Sequence, residues 1–130
     1  MKVKLAFYPL QFRMPQICCR CAENPPQGYD EIKVIQNLDW TGKRWNTWVF
    51  RFPYCASCFR DLKKRRIFKG KARAASVSNV MSVRYGRFLR KKLEYVIFDF
   101  KNEKFGALFK QVNKDFLFDK VFSELKSKKK

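Results

Sequence analysis

The chain has 130 residues, the length of one domain or of one domain with a small appendage. Apolar residues make up 46% of it and include fourteen Phe, which is enough for a hydrophobic core and excludes a disordered tail. Thirty Lys and Arg stand against eleven Asp and Glu, so the net charge of +19 predicts an anionic partner: nucleic acid, an acidic membrane surface or an acidic protein.

The beginning of the chain lacks the pattern of a secretory signal. Lys4, Pro9 and Arg13 interrupt each early apolar run. No stretch approaches the roughly 20 apolar residues that a membrane-spanning helix needs. We therefore expect an intracellular, cytoplasmic protein, and in a reducing compartment paired cysteines favour metal binding over disulfides.

The first half of the chain predicts a strand and a β-hairpin. Apolar and basic residues alternate over 2–8, which indicates a short strand. A loop rich in Pro and Asn at 23–28 precedes two further alternating segments, 31–38 and 47–54. These segments predict two antiparallel strands joined by a connection at 39–46.

Two Cys-x-x-Cys pairs flank this predicted hairpin. Cys18 and Cys21 precede its first strand, Cys55 and Cys58 follow its second, and thirty-three residues separate the pairs. An antiparallel hairpin brings both pairs to the same end, where two-residue spacers allow four sulfurs to face one ion. The chain has no histidine, so we expect an all-thiolate site that holds a structural Zn2+.

This arrangement resembles zinc-ribbon and zinc-knuckle proteins over residues 16–60. The resemblance implies a metal-stabilised hairpin, and such ribbons serve DNA, RNA or protein partners. Ala22 and Phe59 stand where a knuckle has glycine after the second cysteine of a pair. An iron–sulfur site, redox use of one pair and thiols that only pack are alternatives to zinc. Cys19 could replace Cys18 as a ligand, or could be a buried or free thiol.

A basic stretch follows the second cysteine pair. Residues 60–92 contain thirteen Lys and Arg and one acidic residue, Asp61. Residues 58–68, which overlap its beginning, favour a helix, whereas the Gly, Ser and Asn of 69–86 predict a connecting segment without a regular element. Arginine guanidinium groups fit phosphates well, so we predict phosphate contacts from seven residues of this stretch: Lys63, Lys64, Arg65, Arg66, Lys69, Lys71 and Arg73. A merely solvated basic face is the alternative.

The predicted hairpin tip carries further basic and aromatic residues. Lys43 and Arg44 lie between Trp40 and Trp45. Tryptophans beside cations could stack on unpaired bases, or one or both could fold back onto the core. We include Lys43 and Arg44 among the predicted nucleic-acid contacts.

The last third of the chain predicts a strand and two helices. Residues 92–100 are apolar and rich in β-branched and aromatic types, which indicates a buried strand. Asn102 can cap the helix that follows. Two sets of apolar residues then repeat at helical spacing, Phe105, Leu108, Phe109 and Val112, and Phe118, Val121, Phe122 and Leu125.

These predictions describe a small α+β protein with a zinc-ribbon-like part at 1–66, a basic connecting segment at 67–91, and a strand with two helices at 92–130 that packs as one unit with the rest. The lack of histidine and of a glycine-rich phosphate loop predicts that the protein is not an enzyme and has no small-molecule substrate. The expected function is binding of nucleic acid, RNA or DNA, through phosphates. The alternatives are an adaptor that docks on a larger protein or nucleoprotein assembly, and binding to an anionic membrane with Ile67 and Phe68 in the interface.

Overall fold

The computed structural model describes residues 1–37, 45–64 and 73–127. Its strands are β1 (Lys2–Ala6), β2 (Gly28–Asn37), β3 (Trp45–Tyr54), β4 (Ala75–Val77), β5 (Met81–Tyr85) and β6 (Lys91–Phe100), and its helices are α1 (Ala56–Lys64), α2 (Glu103–Val112) and α3 (Phe118–Ser127). The prediction of a mixed α+β fold is confirmed. None of the described helices is long and apolar enough to cross a membrane.

Strand β6 is the central strand of an antiparallel sheet. Strand β1 pairs along one edge, with Val3 opposite Phe98, and β4 and β5 share the other edge. Strands β2 and β3 form a separate two-stranded hairpin in which Gly28 lies opposite Tyr54. Antiparallel strands are thus present where the sequence predicted them, whereas most of the predicted connection 39–46 lies outside the described residues. Strand β3 ends directly before Cys55.

The stretch 69–86 differs from the expected connecting segment, because β4 and β5 lie within it. Val77 is opposite Phe98 and Met81 is opposite Tyr95, so three residues of this edge face two residues of β6. This is the pattern of a β-bulge. The Gly, Ser and Asn of the stretch are poor strand formers, but the edge of β6 offers a row of unpaired backbone groups, and pairing with it outweighs propensity.

One face of the sheet packs against the hairpin and α2. Phenylalanine rings from β3 and α2 lie with their centroids 4.7 to 6.2 Å from rings of β6, in tilted or edge-to-face contacts; the rings are Phe50, Phe52, Phe98, Phe100, Phe105 and Phe109. Aromatic side chains bury large apolar areas, and their tilted and edge-to-face contacts add to the stability of the core. The core therefore joins the hairpin that carries the cysteine pairs to the C-terminal elements.

Helix α3 covers the other face of the sheet. Phe118 contacts Tyr95 of β6, with ring centroids 5.0 Å apart, and Phe122 contacts Tyr85 of β5 at 5.7 Å.

Asn102 caps α2 as predicted, since its side chain accepts a hydrogen bond from the backbone N–H of Phe105. The division into parts at 1–66, 67–91 and 92–130 stays a prediction, because the boundary between 66 and 67 lies outside the described residues.

Candidate metal centre

The sulfur atoms of Cys18, Cys21, Cys55 and Cys58 all lie within 4.8 Å of one another. The Sγ atoms of Cys21 and Cys55 are 3.9 Å apart. Four sulfurs around one zinc ion, each about 2.3 Å from it, would be roughly 3.8 Å apart. The four cysteines are thus placed to hold one metal ion.

The first pair lies in a tight turn closed by backbone hydrogen bonds. The N–H of Cys18 donates to the carbonyl of Asn24, and the N–H of Ala22 donates to the carbonyl of Cys18, both at 2.8 Å. Ala22 has φ of 56° and is fully buried. This is the left-handed conformation that glycine adopts most easily, so Ala22 occupies a backbone position that usually favours glycine.

The turn is attached to the end of the hairpin. The N–H of Cys19 donates to the carbonyl of Pro53 at 2.7 Å, and the N–H of Gln27 donates to the carbonyl of Tyr54 at 2.8 Å. These bonds extend the pairing of the hairpin beyond β2. As a result the first cysteine pair is held next to Cys55, which directly follows β3.

The second pair lies where β3 passes into α1. Cys55 precedes the first residue of the helix, and the N–H of Phe59 donates to its carbonyl at 2.8 Å. Burial raises the pKa of Cys55, but hydrogen bonds from Ser57 and from the N–H and thiol of Cys58 outweigh it and lower the pKa to about 6. A helix N-terminus also favours a thiolate. The geometry therefore suits an ionised sulfur at Cys55.

Cys58 behaves in the opposite way without an ion. Burial and the hydrogen bonds it gives to Cys55 and Cys18 raise the pKa of Cys58 well above its ordinary value. Neighbouring thiolates repel one another, so four sulfurs this close do not all ionise in the absence of a cation. Binding a metal ion would release the remaining protons.

Cys19 lies outside the cluster. It is fully buried, and burial raises the pKa of its thiol to about 12, although a hydrogen bond with Tyr54 opposes that rise. Tyr54 in turn accepts a hydrogen bond from the backbone N–H of Ala74 at 2.9 Å. Of the two cysteines that could complete the first pair, Cys18 faces the cluster and Cys19 packs in the core.

Two contacts between residues distant in sequence stabilise the turn of the first cysteine pair, and both involve Arg20. The guanidinium group of Arg20 lies 2.6 Å from a carboxylate oxygen of Asp61 in α1. The amide nitrogen of Asn102 donates to the carbonyl of Arg20 at 2.9 Å, while its oxygen caps α2. Sequence reasoning did not identify Arg20 or Asp61, because nothing local marks two residues that are 41 positions apart as partners.

The structure describes three of the nine predicted nucleic-acid contacts. Lys63 and Lys64 are exposed in the last turn of α1. The guanidinium group of Arg73 lies 3.0 Å from the buried carboxylate of Asp30. Several predicted residues lie outside the described ranges: Lys43, Arg44, Arg65, Arg66, Lys69 and Lys71, with Trp40, Ile67 and Phe68.

Comparison of the chain with protein-family models, with curated proteins and with solved structures found no match. Function has to be inferred from the cysteine cluster and from the distribution of charge.

Proposed function

We propose that the chain is a small basic zinc protein that binds nucleic acid without catalysis. The observation that carries the proposal is the convergence of four cysteine sulfurs within 4.8 Å, at the point where α1 begins. Soft thiolates in a set of four are the ligands of structural zinc sites. A structural zinc ion contributes on the order of 10 kcal/mol, more than a short hairpin and a loop supply by themselves.

The spacing of the sulfurs favours a single metal ion over a cluster or a redox pair, and elemental analysis distinguishes zinc from a single iron ion, which four thiolates bind in the same tetrahedral arrangement. An iron–sulfur cluster places several iron and sulfide ions between its cysteines and needs a wider cage. A redox pair needs two sulfurs, whereas here two pairs converge. One ion with four sulfurs at tetrahedral corners accounts for all of Cys18, Cys21, Cys55 and Cys58.

The charge supports nucleic acid as the partner. A net charge of +19 on 130 residues favours a polyanion, because each neutralised phosphate releases counterions. Lys63 and Lys64 are exposed on a helix whose start is tied to the cysteine cluster. Anchoring one end of a cationic segment reduces the entropy lost when it binds. Phosphate contacts from Arg65, Arg66, Lys69 and Lys71 belong to the same proposal.

The first test is the composition of protein purified without chelator. We expect one zinc ion per chain by elemental analysis, and copurifying nucleic acid identified by nuclease digestion. Protein that folds with no bound metal would refute the zinc centre. A second arm compares wild type with Cys21→Ser, which removes a ligand and should lose the ion, and with Ser82→Ala, an exposed residue of β5 that is not a ligand and should keep it.

Salt dependence separates nucleic-acid binding from docking on a protein. The affinity for an oligonucleotide should fall steeply and linearly on a log–log plot as salt increases. An adaptor surface dominated by apolar contacts would change little. Flotation with anionic vesicles at moderate salt tests the membrane alternative, and failure to float excludes it.

A further inference from the structure

The turn that joins β5 to β6 exposes an aromatic ring among cations. The stretch 84–92 contains no acidic residue and five basic ones, all exposed: Arg84, Arg87, Arg90, Lys91 and Lys92. Between them, Phe88 is 75% exposed and Leu89 is 59% exposed. Neither of these apolar side chains contributes to the core, so hydrophobic burial does not explain their presence.

The backbone of this turn is strained at the same two residues. Phe88 has φ of 59° and Leu89 has φ of 53°. Bulky side chains rarely adopt this left-handed conformation, and strain of this kind persists mainly at functional sites. The N–H of Leu89 donates to the carbonyl of Gly86 at 2.9 Å, and the guanidinium group of Arg84 donates to the carbonyl of Leu89 at 3.4 Å. These bonds tie the backbone of Leu89 to Gly86 and Arg84, directly beside the exposed ring of Phe88.

Two guanidinium groups lie beside the exposed ring. The Cζ atoms of Arg87 and Arg90 are 5.4 and 5.7 Å from the centroid of Phe88. A nucleobase stacked on this ring would bring its phosphates within reach of both cations. Only unpaired bases offer a free face for such stacking, because bases within a duplex already stack on their neighbours.

We propose that the turn between β5 and β6 is a contact for single-stranded nucleic acid, in which Phe88 stacks on an unpaired base and Arg87 and Arg90 bind the adjacent phosphates. The inference rests on the proposed nucleic-acid binding and specifies the strand state of the ligand. The same apolar pair could instead enter a membrane. Membrane-surface segments separate their basic residues from their apolar face, whereas here two guanidinium groups lie beside the ring itself, which favours a stacked base with its phosphates.

The test measures binding of the zinc-loaded full chain to a fluorescent single-stranded oligonucleotide, as RNA and as DNA, and to the matching duplex. Phe88→Ala should weaken single-strand binding about tenfold and leave duplex binding nearly unchanged. Phe88→Trp keeps an aromatic face and should retain binding. Phe88→Leu keeps the apolar character without the ring and should behave like Phe88→Ala. Leu10→Ala, at an 88% exposed residue of another turn, is the control and should have no effect.

The outcomes separate this inference from the proposed function. Wild type that binds neither strand form refutes nucleic-acid binding itself. If wild type binds single strands and Phe88→Ala or Phe88→Leu binds them with the same affinity as wild type, the role of the turn is refuted but nucleic-acid binding is not. If the protein binds anionic vesicles but not single strands, and Phe88→Leu still binds the vesicles, the turn is a membrane contact and the inference is overturned.

A stability measurement distinguishes a binding role from a structural one. Phe88→Gly relieves the left-handed strain, so we expect a higher midpoint of thermal unfolding combined with weaker single-strand binding. If Phe88→Gly lowers both, Phe88 stabilises the fold and the inference fails.

Discussion

Ala22 shows how a single residue adapts the turn of the first cysteine pair. Its φ of 56° belongs to the conformation that glycine favours, yet its methyl group is fully buried. Alanine tolerates left-handed backbone at a modest cost, whereas a β-branched residue there would clash with its own backbone. The absence of glycine therefore does not prevent the turn from aiming Cys18 and Cys21 at one point.

We expect Ala22→Val to weaken both the fold and zinc binding. Left-handed strain and overpacking together should lower the free energy of unfolding by about 2 kcal/mol or more. Urea unfolding of the zinc-loaded protein measures the stability, and competition with a chelator measures the zinc affinity. Ala107→Val, at an exposed residue of α2, is the matched control and should change stability by about 0.5 kcal/mol. Equal effects of the two substitutions would contradict the strain argument.

The side chain of Asn113 connects the end of α2 to the backbone of Arg13 near the start of the chain. It is fully buried, its Nδ2 donates to the carbonyls of Arg13 and Phe109 at 2.7 and 2.9 Å, and its Oδ1 accepts from the N–H of Arg13 at 2.7 Å. The side chain thus satisfies the backbone of Arg13 in both directions. No sequence pattern reveals this, because the two residues are 100 positions apart.

Asn113→Ala should leave the backbone N–H and C=O of Arg13 without their side-chain partner at a partly buried position. We expect a loss of about 1 to 3 kcal/mol in the free energy of unfolding, since an unsatisfied group costs about 1 to 3 kcal/mol when it is fully buried and less when water reaches it. Gln111→Ala, at an exposed position of the same helix, should stay within about 0.5 kcal/mol of wild type. Chemical denaturation at constant zinc concentration provides both values, and a small effect of Asn113→Ala would refute the bridging role.

At the scale of elements, periodicity predicted what local pattern can encode. Alternation indicated β1 and the hairpin, and the Asn cap with its phenylalanine spacing indicated α2. The strands β4 and β5 were missed because their residues are poor strand formers. Ser78 and Asn79 lie in the bulge between them, where side-chain oxygens replace backbone partners: Ser78 Oγ accepts from the N–H of Ile97 at 2.9 Å, and Asn79 Oδ1 accepts from the N–H of Ile35 at 3.4 Å. Polar residues that looked like loop signals therefore serve the sheet.

Ser78→Ala tests that interpretation of the bulge. Removing the hydroxyl leaves the N–H of Ile97 without its acceptor in a partly buried position, so we expect stability to fall by about 1 to 2 kcal/mol. Hydrogen exchange should show faster exchange at the Ile97 amide than at other amides of β6. Ser82→Ala, at an exposed residue of β5, serves as the control and should have little effect. Unchanged protection at Ile97 would show that the hydroxyl is not its acceptor.

At the scale of the whole molecule, the cysteine cluster joins parts that the sequence keeps separate. The spacing of the two pairs predicted Cys18, Cys21, Cys55 and Cys58 as the converging set, with Cys19 as an alternative to Cys18, and the structure brings those four together. The ties around them, from Arg20, Asp61 and Asn102, depend on tertiary contacts between distant segments and could not be predicted.

Acid should release the metal. Protons compete with zinc for thiolates, so affinity falls as pH falls. In the metal-free protein the folded pKa of Cys55, about 6, lies below the ordinary value of 9.0. Its thiolate therefore contributes stability that is fully present above pH 9 and is lost as pH falls through about 6. Zinc content after dialysis between pH 8 and pH 5 measures the release, and complete retention at pH 5 would contradict a site held by thiolates alone.

Asn102 links the turn of the first cysteine pair to α2, which carries none of the four cysteines. One amide group donates to the carbonyl of Arg20 in the first pair's turn and accepts from the N–H of Phe105 in α2. If the turn loosens when the ion leaves, the Phe105 amide should change its NMR chemical shift, although no ligand belongs to α2. The NMR signal of the Phe105 amide, 84 positions after Cys21, would then report metal binding without any label or substitution at a cysteine.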